Sequence, residues 1–124
     1  MKIAFIGGGN MASALISGLA GKFTAGADIH VVDPNADALD RLRSAYGVTA
    51  GHSIDAAVAA SDVVVLAVKP QQMRDVAAAL LPQLRGDALV LSIAAGIRGA
   101  DLSRWLGGHA AIVRTMPNTP ALIG

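Results

Sequence analysis

Six short apolar runs are spaced along this chain, and five of them are nearly continuous in apolar character: "KIAFI" at 2–6, "IHVVD" at 29–33, "DVVVLAV" at 62–68, "ALVLSI" at 88–93 and "AAIVR" at 110–114. A shorter run, Val48–Ala50, lies between the second and third of these. A strand without polar alternation is buried on both faces, and that happens chiefly in parallel sheets sandwiched by helices. The intervening segments have the helical period that such a sheet needs. Asn10 to about Lys22 spaces Met11, Leu15, Ile16 and Leu19 as one helix face. Ala36–Tyr46 turns Leu39, Leu42 and Tyr46 inward and its charges outward, and Gly47 ends it. Ser53 is expected to cap a helix running through Ala60. Pro70, at a first helical position, opens Gln71–Leu84, and Asp101–Leu106 is a short final helix. The tail "TMPNTPALIG" has two prolines and no period, and reads as loop. The order βαβαβ(α)βαβαβ, with right-handed crossovers, predicts a doubly wound, mostly parallel α/β sheet with helices on both faces.

Composition supports this and removes several function classes. The 124 residues suit one domain, and 53% are hydrophobic against 15% charged. Aromatics are only 3%, so Ala, Val, Leu and Ile must fill the core. A net charge of +1 with no basic block or aromatic platform argues against a nucleic-acid partner. The chain has no cysteine, which excludes disulfides and thiolate metal sites. The uncharged stretch between Lys2 and Lys22 resembles a secretion signal, but "GGGN" breaks its apolar run at the centre. No later segment runs about 18 residues without a charge, so no membrane span is expected.

Gly7-Gly8-Gly9-Asn10-Met11-Ala12 matches G-x-G-x-x-G/A, and it falls between the first strand and the first helix. Each position has its own task. Gly7 permits the tight turn, Gly8 is a spacer, and Gly9 lets a pyrophosphate approach the backbone. Ala12 is small enough for helix and strand to pack closely. The helix's first N–H groups and its dipole favour an anion. Asn10 either caps the helix or bonds the phosphate. In this context the turn predicts a Rossmann-type domain for NAD or NADP, and the bland alternative is a flexible glycine turn without a ligand. Asp33 follows Gly9 by 24 residues, close to the usual spacing of about 20 for the acid that bonds the adenine ribose. A carboxylate there repels a 2′-phosphate and favours NAD. Asp33 could equally begin the "DPN" turn. No cation lies near it in sequence before Arg41, and the choice between NAD and NADP stays open.

Ligands of such sheets gather at the carboxyl ends of the strands. Ala67-Val68-Lys69-Pro70 is a rigid strand exit that can present backbone groups to a ribose or nicotinamide. Lys69 has two readings, a phosphate contact or a solvated side chain. Ala94-Ala95-Gly96 is small enough to sit beneath a flat ring, or is simply a close-packed turn. Met116-Pro117-Asn118-Thr119 brings an amide and a hydroxyl to the same rim. His30, His52 and His109 are scattered, so no metal site is expected, and His30 and His109 are read as structural or exposed. No side chain is an obvious general acid or base, and no catalytic residue is assigned. Trp105 is a packing residue.

Four segments together, "IGGGNMA" (6–12), "AVKPQ" (67–71), "SIAAG" (92–96) and "RTMPNTPALIG" (114–124), resemble Δ1-pyrroline-5-carboxylate reductase, the last enzyme of proline biosynthesis. The resemblance runs along essentially the whole chain and covers the amino-terminal half of the family's length. It implies a cytoplasmic oxidoreductase that reduces the C=N bond of pyrroline-5-carboxylate to L-proline with a hydride from NADPH or NADH. Carried over by position, Ile6, Gly7, Gly8, Gly9, Asn10 and Met11 hold the pyrophosphate and Asp33 sits at the adenine ribose. Ala67, Val68, Lys69 and Pro70, with Ala94, Ala95 and Gly96, flank the nicotinamide side. Met116, Pro117 and Asn118 lie beside the nicotinamide, and Asn118 and Thr119 face the substrate. Asp33 departs from the small polar residues often found there, which puts NADP preference in doubt. The family completes its pocket and its homo-oligomer with a carboxy-terminal helical domain, so residues 1–124 are expected to be the cofactor-binding part alone and nearly inactive. The glycine turn by itself also fits prephenate or 6-phosphogluconate dehydrogenases, and a nucleotide-binding module without catalysis.

Overall fold

In the computed structural model, residues 1–93, 99–109 and 111–114 are described below. Strand β1 (Ile3–Ile6) lies at the centre of a six-stranded sheet. It pairs in parallel with β2 (Ile29–Val32) on one side and β4 (Val63–Leu66) on the other. Beyond β2 comes β3 (Thr49–Gly51), and beyond β4 come β5 (Leu89–Ser92) and β6 (Ile112–Arg114). The order β3-β2-β1-β4-β5-β6 is the doubly wound one, with every pairing parallel.

Strand alternation divides the core into two layers. Ile3 and Phe5 of β1, Ile29 and Val31 of β2 and Val65 of β4 pack under α1 (Asn10–Leu19) and α2 (Ala36–Tyr46), with Ala12, Ile16, Leu39 and Leu42 facing them. Ala4, Ile6, Val32, Val64, Leu66 and Val90 pack on the opposite face. There α3 (Ala56–Ala59), α4 (Pro70–Leu80) and α5 (Gly99–Trp105) supply Val58, Met73, Ala77, Leu80 and Leu102. Phe5, Ala4 and Leu66 are wholly buried, as two-sided strands require. Trp105 is partly buried against the second layer.

Local chemistry explains the element ends. Asn35 caps α2, its side chain accepting from the N–H groups of Asp37 and Ala38 at 3.0 and 3.2 Å. Gly47 ends the same helix in the left-handed conformation, φ 70°, donating to the Arg43 carbonyl. Three expected boundaries move. Helix α1 stops at Leu19, three residues early, because the Leu19 carbonyl takes the N–H groups of Lys22 and Phe23 in a turn. Helix α4 gives way at Leu81 to a 3-10 turn, since Pro82 has no N–H to continue the α-helical ladder. Ser53 caps nothing. Asp55 caps a single-turn α3 by accepting from Ala57 N–H at 3.0 Å.

The amino ends of the strands are tied by charge. The Lys2 main-chain N–H donates to Asp62 at 2.9 Å, and Arg85 reaches Asp62 at 3.1 Å and Asp87 at 2.9 Å. The Lys2 N–H and then the Arg85 guanidinium hold the Asp62 carboxyl below its usual value. His30 and His109 both meet partners within the fold. His109 Nε2 donates to the Ala88 carbonyl at 2.6 Å, and Ser103 Oγ donates to the His109 carbonyl at 2.7 Å. His30 Nδ1 lies 2.6 Å from Thr49 Oγ1, while its Nε2 is buried without a partner. Burial pushes the His30 pKa down, against the pull of Asp55. Among the described residues no helix is long and apolar enough to cross a membrane, and no group of side chains could hold a metal ion.

Candidate functional site

After β1 the chain winds towards β2 and β3, and after β3 it crosses to β4. The carboxyl ends of β1 and β4 therefore splay into helices on opposite faces and leave a crevice between them. The glycine turn sits at its mouth. Gly7 has φ 106°, and a Cβ placed on it would lie 2.6 Å from the Ala67 carbonyl oxygen at the exit of β4. The Gly7 N–H donates to the Val32 carbonyl at 2.7 Å, and the Ala67 N–H donates to the Ile6 carbonyl at 2.8 Å. Glycine at position 7 is thus required twice, by backbone conformation and by closeness.

Gly9 differs. Its backbone is extended (φ −77°, ψ −167°), and a Cβ there would meet no atom within 4 Å. The fold does not require glycine at this point, and the space beside it is open. Gly9 occupies the cap position of α1, where no side chain bonds the helix start. The N–H groups of Asn10, Met11 and Ala12 have no carbonyl inside the helix to bond, and the ladder starts with Ser13 N–H to Gly9 O at 2.9 Å. This is the geometry of an anion cradle. Asn10 is exposed at the helix start and does not cap it, which removes one of its two readings. Ala12 is fully buried in the first layer, where its small size was expected to matter.

Asp33 follows β2 directly and takes the turn's part. Its Oδ2 accepts from the Gly8 N–H at 2.7 Å, and its Oδ1 accepts from the Asn35 N–H at 2.8 Å. Of the two sequence readings, the "DPN" turn is present, and it extends to the glycine turn itself. Gly8 is more than a spacer, since its N–H is the other half of that bond.

Two hollows open on either side. The larger, about 830 Å³, is walled by Ile6, Gly7, Asp33 and Pro34, by Ala67, Val68 and Lys69, and by Ile54, Gln72 and Val76. The smaller, about 360 Å³, lies between α1 and α2, with Gly8, Gly9, Asn10, Ser13, Asn35, Arg41 and Tyr46 around it. Gly9, Asp33 and Asn35 line both. The larger has the size and the mixed apolar and polar walls of a site for a flat heterocycle with sugars attached. A dinucleotide fits this chemistry: open space at Gly9, unbonded helix N–H groups and an adjoining apolar cleft.

The structure thus gathers Ile6, Gly7, Gly8, Gly9, Asn10, Asp33, Ala67, Val68 and Lys69 around these hollows. Met11 instead turns its side chain to the first core layer, and Pro70 opens α4. Lys69 is exposed. Ala94, Ala95, Gly96, Met116, Pro117, Asn118 and Thr119 lie outside the described residues. Sequence reasoning missed Asn35, Ser13, Ile54, Gln72 and Val76, and used Arg41 only as the nearest cation to Asp33. Their signal was topological. Once β3 lies beside β2, and α4 beside the β4 exit, these side chains must border the same crevice.

Known proteins resemble the chain along nearly its full length. It is 48% identical over 122 residues to a pyrroline-5-carboxylate reductase of Pseudomonas aeruginosa, covering 98% of this chain and 45% of that protein. A pyrroline-5-carboxylate reductase structure from Coxiella burnetii superposes with a TM-score of 0.90 at 38% identity, over 98% of this chain and 46% of the other. The pyrroline carboxylate reductase of Plasmodium falciparum, determined with NADP bound, matches with a TM-score of 0.81 at 28% identity, over 99% and 44%. The chain spans about half the length of the curated relatives it matches. Residues 2–96 match the family model described as NADP oxidoreductase, coenzyme F420-dependent, and the chain belongs to that family.

Proposed function

We propose that this chain is the dinucleotide-binding part of a pyrroline-5-carboxylate reductase. The observation that carries the reading is its 48% identity, across 98% of its length, with a relative of that name. The intact glycine turn and the cleft beside it supply the physical means.

In this reading the chain binds and orients. Gly7 seats the turn against Ala67, and Gly9 leaves room for a pyrophosphate at the α1 N–H groups. Asp33 holds the turn's shape through the Gly8 N–H. Ala67, Val68, Lys69 and Pro70 are assigned the nicotinamide side, and Val68, Ile54 and Val76 give the hollow beside the turn an apolar wall. Ala94–Gly96 and Met116–Thr119 are assigned the nicotinamide and substrate edge. When bound, the reduced dinucleotide supplies a hydride to the C=N carbon of pyrroline-5-carboxylate, giving L-proline. A cyclic imine, once protonated, accepts hydride readily, so positioning and exclusion of water are the protein's main tasks. The same reading carries a cytoplasmic location and a homo-oligomer built by sequence beyond this half.

The test is cofactor oxidation on adding pyrroline-5-carboxylate to the full-length protein, with proline identified as product. Cofactor binding without oxidation would overturn the reductase reading and leave a nucleotide-binding module.

A further inference from the structure

Among the described residues one buried side-chain polar atom bonds nothing: His30 Nε2. The bonds around it fix its state. Thr49, the register partner of His30 on β3, donates its hydroxyl to the Ile29 carbonyl at 3.4 Å, so it accepts in its 2.6 Å contact with His30 Nδ1. Nδ1 therefore carries the ring proton, and Nε2 is a bare lone pair. It faces the small space where Gly51 has no side chain. A Cβ on Gly51 would stand 3.5 Å from Nε2 and 4.0 Å from the Ser53 carbonyl oxygen. The ring and the start of the connection from β3 to α3 thus look into one gap. That connection walls the larger hollow through His52, Ser53 and Ile54, whereas His30 itself does not line it.

A proton on Nε2 changes what the ring requires of its surroundings. The lone pair becomes a buried donor, and a buried donor left unbonded is costly. The Ser53 carbonyl faces the gap that donor enters. The new charge is also drawn to Asp55, the cap of α3 and the one charged group whose field reaches the ring. Its neighbours across the sheet, Ala4 and Thr49, are uncharged, and so is α3. The titratable groups flanking these three strands are Lys2, Asp28 and His52. We propose that His30 is a positioning residue for the cleft wall. Uncharged, it leaves residues 51–55 where the dinucleotide meets them; protonated, it draws Ser53 and Asp55 towards the ring and the wall out of place. Dinucleotide affinity then falls as the ring takes up a proton, and bound dinucleotide in turn holds the ring neutral. Burial already keeps the His30 pKa below the ordinary 6.5, which favours the same neutral form. The inference rests on the cofactor-binding part of the proposed function.

The His30 ring signal in a proton NMR titration of the chain, with and without saturating NAD⁺, tests it. NAD⁺ is the probe because none of its own groups titrates between about pH 5 and 8, where histidine does. The His30 pKa should be lower by about 0.7 with NAD⁺ bound. Calorimetric affinity for NAD⁺ should fall roughly fivefold from neutral pH to the acid side of that titration, the same coupling read from its other end. Gly51→Ala puts a methyl group into the gap at ordinary contact distances and on a backbone without positive φ. It should leave affinity at neutral pH within about twofold and remove the fall. His30→Gln should likewise give an affinity that does not change across this range. A His30 pKa that NAD⁺ does not move would overturn the proposal. So would a fall in affinity that persists in either variant, which would then belong to His52 on the cleft wall itself. Absence of NAD⁺ binding at every pH sinks the cofactor reading and this inference together, whereas binding with an unmoved His30 sinks the inference alone.

Discussion

At the scale of single residues, two glycines of one turn should behave oppositely. Gly7→Ala forces a side chain into a positive-φ backbone and against the Ala67 carbonyl. The strained conformation alone costs on the order of 1–3 kcal/mol, and the clash adds to it. Gly9→Ala meets open space in an extended conformation, and stability should change by no more than about 1 kcal/mol. Dinucleotide affinity should nonetheless fall, because the added methyl group occupies the cradle. Urea titrations of both variants, with NADPH fluorescence titration of the second, check the contrast; a Gly9→Ala variant that binds normally would show the open space to be incidental. Asp33→Ala leaves the buried Gly8 N–H without its acceptor and should cost about 1–3 kcal/mol, with the turn loosened. The need for glycine at Gly7 and for a small residue at Ala12 was legible from spacing. The Asp33–Gly8 bond was not, because it joins residues 25 apart whose meeting depends on β1 and β2 being neighbours.

At the scale of elements, caps and a buried ring carry the testable content. Asn35→Ala removes the acceptor for two N–H groups of α2 and should lower stability by roughly 0.5–2 kcal/mol, measurable as a shift in the urea midpoint. The same denaturation read against pH reports His30. Burial lowers its pKa in the folded protein below the ordinary 6.5, so between those two values the unfolded chain binds the extra proton. The His30 contribution is therefore complete above about pH 6.5 and is lost as the pH falls from there towards the folded-state pKa. His30→Gln should flatten the fall in stability on the acid side of about pH 6.5, and an unchanged slope would locate the dependence elsewhere. The helix capped by Ser53 in the sequence reading is a lesson at this scale. Ser53 and Asp55 are both good caps two residues apart, and only the path of the chain out of β3 decides that Asp55 meets the first turn.

At the scale of the whole molecule, the two-layer core ranks substitutions that the sequence alone would treat alike. Leu66 is fully buried on β4, and Leu66→Ala should cost about 2–5 kcal/mol. Leu89 on neighbouring β5 is 37% exposed, so Leu89→Ala should cost less than about 1 kcal/mol in the same chemical denaturation series. The chain spans about half the length of its curated relatives, and residues 1–124 alone are expected to bind the dinucleotide without forming proline. Robust turnover by these residues alone would contradict that. Sequence determined the doubly wound class, the six strands and the turn, because a run buried on both faces, a helical period and a glycine spacing are each local patterns. Tertiary structure decided which distant residues share a crevice: that Ala67 closes on Gly7, that Asp33 ties the turn at Gly8, and that Arg41, Asn35 and Ser13 line one hollow. The physical reason is strand order. Parallel neighbours are brought together by crossovers, and no local pattern records which strand ends will meet.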